Sequence, residues 1–148
     1  MRVPLLVLAL IAAASSFAAD VGLVKVATGK VQIERGGKLV NVQVGTSVQA
    51  ADVLRTGPDG AAGITFTDNS LLSIGPNSVL AIDKYEFDTT TNVGAFDTTL
   101  KQGRLAAVSG KMVKQAPESM KVRTPASVMG VRGTEFVVQV DELRVASR

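Results

Sequence analysis

The sequence predicts an all-β fold, a single domain of short stacked strands with a β-solenoid-like or sandwich-like architecture. Apolar residues recur at period two in short runs from Val21 onward, and Gly, Asn, Asp, Ser or Pro separate the runs. No window of about eleven residues keeps a helical period. The 148 residues, 46% hydrophobic and 20% charged, fit one globular domain with one core.

In chain order, Val24 and Val26, Val31 and Ile33, then Val40, Val42 and Val44 alternate with Lys25, Gln32, Glu34, Asn41 and Gln43. That pattern gives strands with one buried and one wet face. Gly36-Gly37 between two such runs marks a hairpin turn. In the middle, Ile64/Phe66, Leu72/Ile74 and Leu80/Ile82 repeat at a spacing of eight, with Asp68-Asn69-Ser70 and Pro76-Asn77-Ser78 between them. Asn and Asp bond their own backbone locally, and Pro76 cannot sit in a central strand, so these are true breaks. A unit of eight residues cannot bury its own apolar side and must stack on neighbours, as a meander, a sandwich or a solenoid coil.

Thr89 to Asn92 reads as a hairpin tip, because Thr and Asn satisfy turn backbones locally. A strand around Leu100 precedes Gly103 and the run Leu105 to Val108. The stretch Ser109 to Ser119 has no periodicity and is expected to be a surface loop. The final run is strand, corner, strand: Met120 to Thr124, a corner at Pro125 and through Gly130 and Gly133, and the strand Glu135 to Val140. Pro125 drives Thr124 into an extended conformation, and Gly130 and Gly133 can take positive φ.

The N-terminus stands apart. Met1-Arg2, the apolar run Val3 to Ala14 and then Ser15-Ser16-Phe17-Ala18 form a secretory signal with cleavage expected after Ala18, which leaves residues 19–148 as the mature β domain. The apolar stretch is about 15 residues, short of the roughly 20 a spanning helix needs, so no stable membrane span is expected after cleavage. The expected location is periplasmic or secreted.

Composition excludes several functions. With no cysteine there is no disulfide framework, thiolate nucleophile or cysteine zinc site. With no histidine there is no Ser-His or Cys-His pair and no imidazole ligand. No nucleophile-base pair, phosphate loop or metal cluster stands out, so neither catalysis nor a cofactor is expected. Asp83, Asp88 and Asp97 do not have calcium-loop spacing, since Asp88 is followed by Thr89-Thr90-Thr91-Asn92.

Five features then occur in a specific order. They are Ala51-Asp52-Val53-Leu54-Arg55-Thr56-Gly57 leading into Phe66-Thr67-Asp68-Asn69-Ser70, Gly75-Pro76-Asn77-Ser78, Val122-Arg123-Thr124-Pro125, and Gly133-Thr134-Glu135-Phe136. In this order the chain resembles the FecR family from about Gly22 to Val140. The resemblance implies an all-β, solenoid-like periplasmic domain with Gly57, Pro76, Asn77, Pro125, Gly130 and Gly133 as structural turn residues. In the best-known members such a domain receives an iron-uptake signal from an outer-membrane receptor, and a membrane helix relays it to a sigma factor. Against that pattern, this chain is expected to lack the cytoplasmic N-terminal region and the second span, and to stop soon after Val140, where relatives continue with another strand. An uncovered edge strand is expected, protected by Arg144 and Arg148 or open to a partner strand.

Charge is uneven. Lys101, Arg104, Lys111, Lys114, Lys121, Arg123 and Arg132 stand against only Glu118 within 101–132, while 52–97 holds seven acids against Arg55 and Lys84. Lys121, Arg123 and Arg132 form the candidate protein-binding surface, to be weighed against ordinary solvated strand faces. After loss of Arg2, 15 basic residues balance 13 acidic ones, and no interleaved aromatics accompany them, so nucleic acid is not an expected partner. The expected function is a non-catalytic binding module of the envelope, an accessory to signal sensing, with an envelope protein or a second copy as partner. The alternative is glycan or peptidoglycan binding through Tyr85, Phe87 and polar turns, with Phe96 also to be tested.

Overall fold

The structure is a computed structural model and describes residues 19–131 and 135–140. The strands are β1 (Asp20–Thr28), β2 (Val31–Arg35), β3 (Lys38–Asn41), β4 (Ser47–Gln49), β5 (Val53–Thr56), β6 (Ala61–Phe66), β7 (Leu71–Ile74), β8 (Val79–Phe87), β9 (Gly94–Val108), β10 (Met120–Arg123), β11 (Val128–Gly130) and β12 (Glu135–Val140). One short helix, α1 (Lys111–Gln115), follows β9. The cleaved leader expected over residues 1–18 lies outside the described residues.

The strands work as bent ribbons. β1 and β2 run along β6 and β5, β5 and β6 run along β8 and β7, and β7 and β8 run along the single strand β9. Each ribbon bends once, at Gly29-Lys30, at Gly57 to Gly60, at Gly75 to Ser78, and at Gly103 inside β9. The resulting sheet has the order β3-β2-β5-β8-β9-β7-β6-β1-β4, every pair in that path being antiparallel. It curls around one core into a half-barrel. On the far side of β9, β10 adds in parallel and β12 antiparallel.

The bends are bonded to one another. Gly57 N donates to Lys30 O (3.0 Å), and Asn77 N donates to Gly57 O (3.1 Å). Thr56 Oγ1 donates to Gly75 O (2.7 Å) and accepts from Ser78 N (2.9 Å), while Arg104 N donates to Ser78 Oγ (3.1 Å). The Thr-Gly and Pro-Asn-Ser segments are therefore two rungs of one ladder of corners. Backbone groups that leave the strand ladder at a bend find partners in the next bend, which buried polar groups require.

The all-β expectation holds, and the antiparallel pairing selects a curled meander closer to a sandwich than to a parallel coil. Ile64 lies opposite Leu72 in the β6-β7 hairpin, whereas Leu80 and Ile82 lie past a corner, in the other half of the sheet. The spacing of eight thus spans one hairpin reversal, from β6 to β7, and one corner, from β7 to β8. All six of its apolar residues are buried, with Val24, Ile33, Leu54, Phe96, Leu100 and Leu105 in the same core. Burying each larger member contributes roughly 1.5–3 kcal/mol.

Two expectations change. Leu100 and Leu105 to Val108 belong to one strand, because Gly103 at φ +95° bends it without ending it. The segment expected to be a surface loop contains α1, whose Met112 and Val113 are buried. Five residues are too few to register as a helical period. The expected tip at Thr89 to Asn92 is present between β8 and β9: Thr90 N donates to Asp88 Oδ1 (2.8 Å), and Asn92 has φ +58°.

Candidate binding surface

Two buried carboxylates are the first groups to examine for chemistry, and both are fully engaged. Asp52, 1% exposed, accepts from Arg35 Nε (2.9 Å) and Nη2 (2.7 Å) and from Gln49 N (2.8 Å). Arg35 also donates to Ser47 O (3.1 Å), so one guanidinium ties β2 both to β4 and, through Asp52, to the segment between β4 and β5. Its pKa is raised, first by the hydrogen bond to Asp52. Ala51, with φ +71°, turns the chain so that Asp52 points inward.

Asp68, also 1% exposed, accepts from Ser70 N (3.0 Å), Ser70 Oγ (2.7 Å) and Tyr85 Oη (3.2 Å). Asp68 N donates to Tyr85 Oη (3.0 Å), and Gly110 N and Lys111 N bond Ser70 Oγ (3.1 Å) and Asp68 O (2.8 Å). The Asp-Asn-Ser turn is thus the joint between the β6-β7 hairpin, β8 and the start of α1. Burial pushes the Tyr85 phenol up to about 12. Its ring packs on Phe66 and Phe96 at 5.4 and 4.9 Å between centroids. Tyr85 and Phe96 are core residues and Phe87 is half-buried against them, so the aromatic platform expected for a glycan is not on the surface.

The predicted surface residues divide. Lys121 and Arg123 project together from the exposed face of β10, while Met120 and Val122 are buried. Arg132 and Gly133 lie outside the described residues. Asp97 stands in register with Lys121, and Thr99 with Arg123. Thr99 Oγ1 in turn donates to Asp83. The face is therefore mixed in charge, with Asp97 in register with Lys121 and Asp83 bonded to the register neighbour of Arg123. Pro125 is exposed in the β10-β11 loop, where Thr124 Oγ1 accepts from Ser127 N (3.1 Å). Gly130 lies in β11 and does not have the positive φ expected of it, because its pairing with Lys121 holds it extended.

Next to this face lies an open cleft of about 920 Å³. Lys101, Thr124 to Ser127, Met129 and Val137 line it. Among the described residues β11 pairs only with β10, and β12 only with β9, so both are edges. Val128, Met129 and Val137 are 57%, 36% and 53% exposed there. The opposite edge, β3, also exposes Leu39 and Val40.

A family model described as FecR protein matches residues 52–147. The chain belongs to the FecR family. No curated protein and no solved structure matches it. The FecR match begins at Asp52, later than the resemblance from Gly22 predicts, since β1 to β4 carry alternation without distinctive turn residues. FecR proteins act in signal transduction across the cell envelope and are a signalling family, not an enzyme family.

The FecR turn residues Gly57, Pro76 and Asn77 belong to the corner ladder, and Asn77 takes φ +51°. Sequence reasoning found them as turns but missed that Asp52 and Asp68 are buried anchors. The available signal was an acid directly beside an apolar strand in each case. It also missed the cleft, which forms from segments near residues 101, 125 and 138 that only the sheet brings together. Among the described residues no cluster of His, Cys, Asp or Glu could hold a metal ion, and no helix is long and apolar enough to cross a membrane.

Proposed function

We propose that this FecR domain is an exported, periplasmic or secreted module that binds an envelope protein as a non-catalytic accessory to signal sensing. The observation that carries this reading is the open end of the sheet. Among the described residues two strands, β11 and β12, each pair on one side only, beside exposed Val128, Met129 and Val137. Edge backbone and apolar side chains together are what strand addition by a partner uses. The two buried carboxylates, by contrast, are held in hydrogen bonds within the fold.

The test is crosslinking in intact cells expressing the whole chain, followed by capture of the mature protein. Met129→Asp with Val137→Asp is expected to abolish recovery of the partner seen with the parent protein, at an unchanged melting temperature. Equal recovery by the double variant would remove this end of the sheet as the binding surface.

A further inference from the structure

On the reading that the β10-β11 end binds a partner, we propose that the occupant of the β11 edge is an extended segment with an acidic outward face and an apolar inward face. β11 lies next to β10 with Val128 opposite Arg123, Met129 opposite Val122 and Gly130 opposite Lys121. Val122 is buried, so Met129 shares the core-facing side, and Val128 and Gly130 share the outward side with Arg123 and Lys121. A strand added to β11 therefore sets one side chain beside Met129, on the side continuous with the core. Its neighbours stand beside Val128 and Gly130, facing the cations.

Charge distinguishes the outward positions. Arg35, Arg55 and Lys84 each have a carboxylate within 4.0 Å, whereas Lys101, Lys121 and Arg123 have none among the described residues. Lys121 has Asp97 in register, and the Glu118 side chain lies 4.0 Å from where a Gly130 Cβ would stand. Negative charge is thus already present at that end. Arg123 stands opposite Val128 and in register with Thr99, whose hydroxyl is bonded to Asp83; among the described residues no carboxylate comes within 4.0 Å of Arg123, and Lys101, a second cation, lines the adjoining cleft. The geometry assigns the acidic group of the partner to the Val128 position, facing Arg123 with Lys101 nearby. An apolar residue goes beside Met129. Strands lie about 4.8 Å apart, so Arg123 reaches across β11 to the added strand with its own side-chain length.

The test uses the mature chain and two labelled peptides, one alternating valine with glutamate and one alternating valine with lysine, read by fluorescence anisotropy. The Val-Glu peptide is expected to bind the parent protein and the Val-Lys peptide to bind at least tenfold more weakly. Lys101→Glu with Arg123→Glu is expected to lose about tenfold in affinity for the Val-Glu peptide and to gain affinity for the Val-Lys one, and Lys121→Glu to change little. Equal binding of both peptides, binding of neither, or a larger effect at Lys121 would overturn the assignment. So would sedimentation showing that the chain dimerises and that Lys101→Glu with Arg123→Glu abolishes the dimer, which would make a second copy the occupant. If the peptides fail but Met129→Asp with Val137→Asp still abolishes partner capture in cells, the binding surface stands and only the chemistry assigned to its occupant falls.

Discussion

Replacing Gly103 with alanine tests the corner ladder at its narrowest point. Gly103 has φ +95°, and a Cβ there would lie 2.0 Å from Ser78 Oγ and 2.5 Å from Ser78 Cα. Three effects add. The left-handed backbone costs an L-residue about 1–2 kcal/mol. Forcing Ser78 aside costs about 1–3 kcal/mol. Moving Ser78 also strains its hydrogen bond from Arg104 N, worth about 0.5–1.5 kcal/mol. The expected loss is roughly 3–6 kcal/mol, a large part of the 5–15 kcal/mol typical of a domain. At about 3 °C per kcal/mol for a chain of this size, the melting temperature should fall by about 10–18 °C.

The control is Gly36→Ala. Gly36 has φ +58° but nothing within 4 Å of a new Cβ, so it bears the backbone cost alone, about 1–2 kcal/mol. Thermal and urea melts followed by circular dichroism measure both. Adding Ser78→Ala to Gly103→Ala should restore only a minor part of the loss, because the Ser78 Cα and Cβ contacts at 2.5 Å remain. Equal losses at Gly103 and Gly36 would refute the packed-corner reasoning.

Arg35→Ala should cost about 2–4 kcal/mol in a urea melt, because it leaves the buried Asp52 carboxylate with only the Gln49 amide; part of the guanidinium faces water, which keeps the loss below that of a fully buried pair. A loss under about 1 kcal/mol would mean that solvent replaces the guanidinium. Tyr85 is the chain's sole tyrosine, so phenolate absorbance should report its ionisation near pH 12 in the folded protein and near 10 in denaturant. Its folded pKa lies above the unfolded one, so between those values the unfolded chain has released a proton the folded one retains. The stability it contributes is therefore complete below pH 10 and is lost as pH rises towards 12. A folded-state midpoint at 10 would contradict the burial of the ring.

The parts of the fold legible in the sequence were those governed by local chemistry. Alternation marked strands wherever one face is wet, as in β2 and β6, and turn residues marked the breaks at Gly36-Gly37 and Pro76 to Ser78. Pairing was less accessible, because Leu72 and Leu80 have the same local surroundings yet sit in opposite halves of the sheet. Gly103 read as an end of a strand and is a bend in one. A single residue at positive φ serves either purpose, and only its neighbour Ser78 decides which.

The candidate surface follows the same division with the roles reversed. The turn residues of the first three segments that make the sequence resemble FecR proteins are bound into the interior. Thr56, Asn77 and Ser78 bond one another's corners, while Asp68 and Ser70 bond Tyr85 and the start of α1. Substituting their side chains is expected to lower stability rather than to alter a contact with a partner. On the proposed reading, specificity is carried by exposed residues outside the corner ladder, and Arg123, Val128, Met129 and Val137 are such residues. None of them belongs to a corner, and each can change without disturbing the ladder. On the proposed reading, one scaffold can serve different partners through the strands at this end, provided each partner matches the apolar and charged positions that β10 and β11 present.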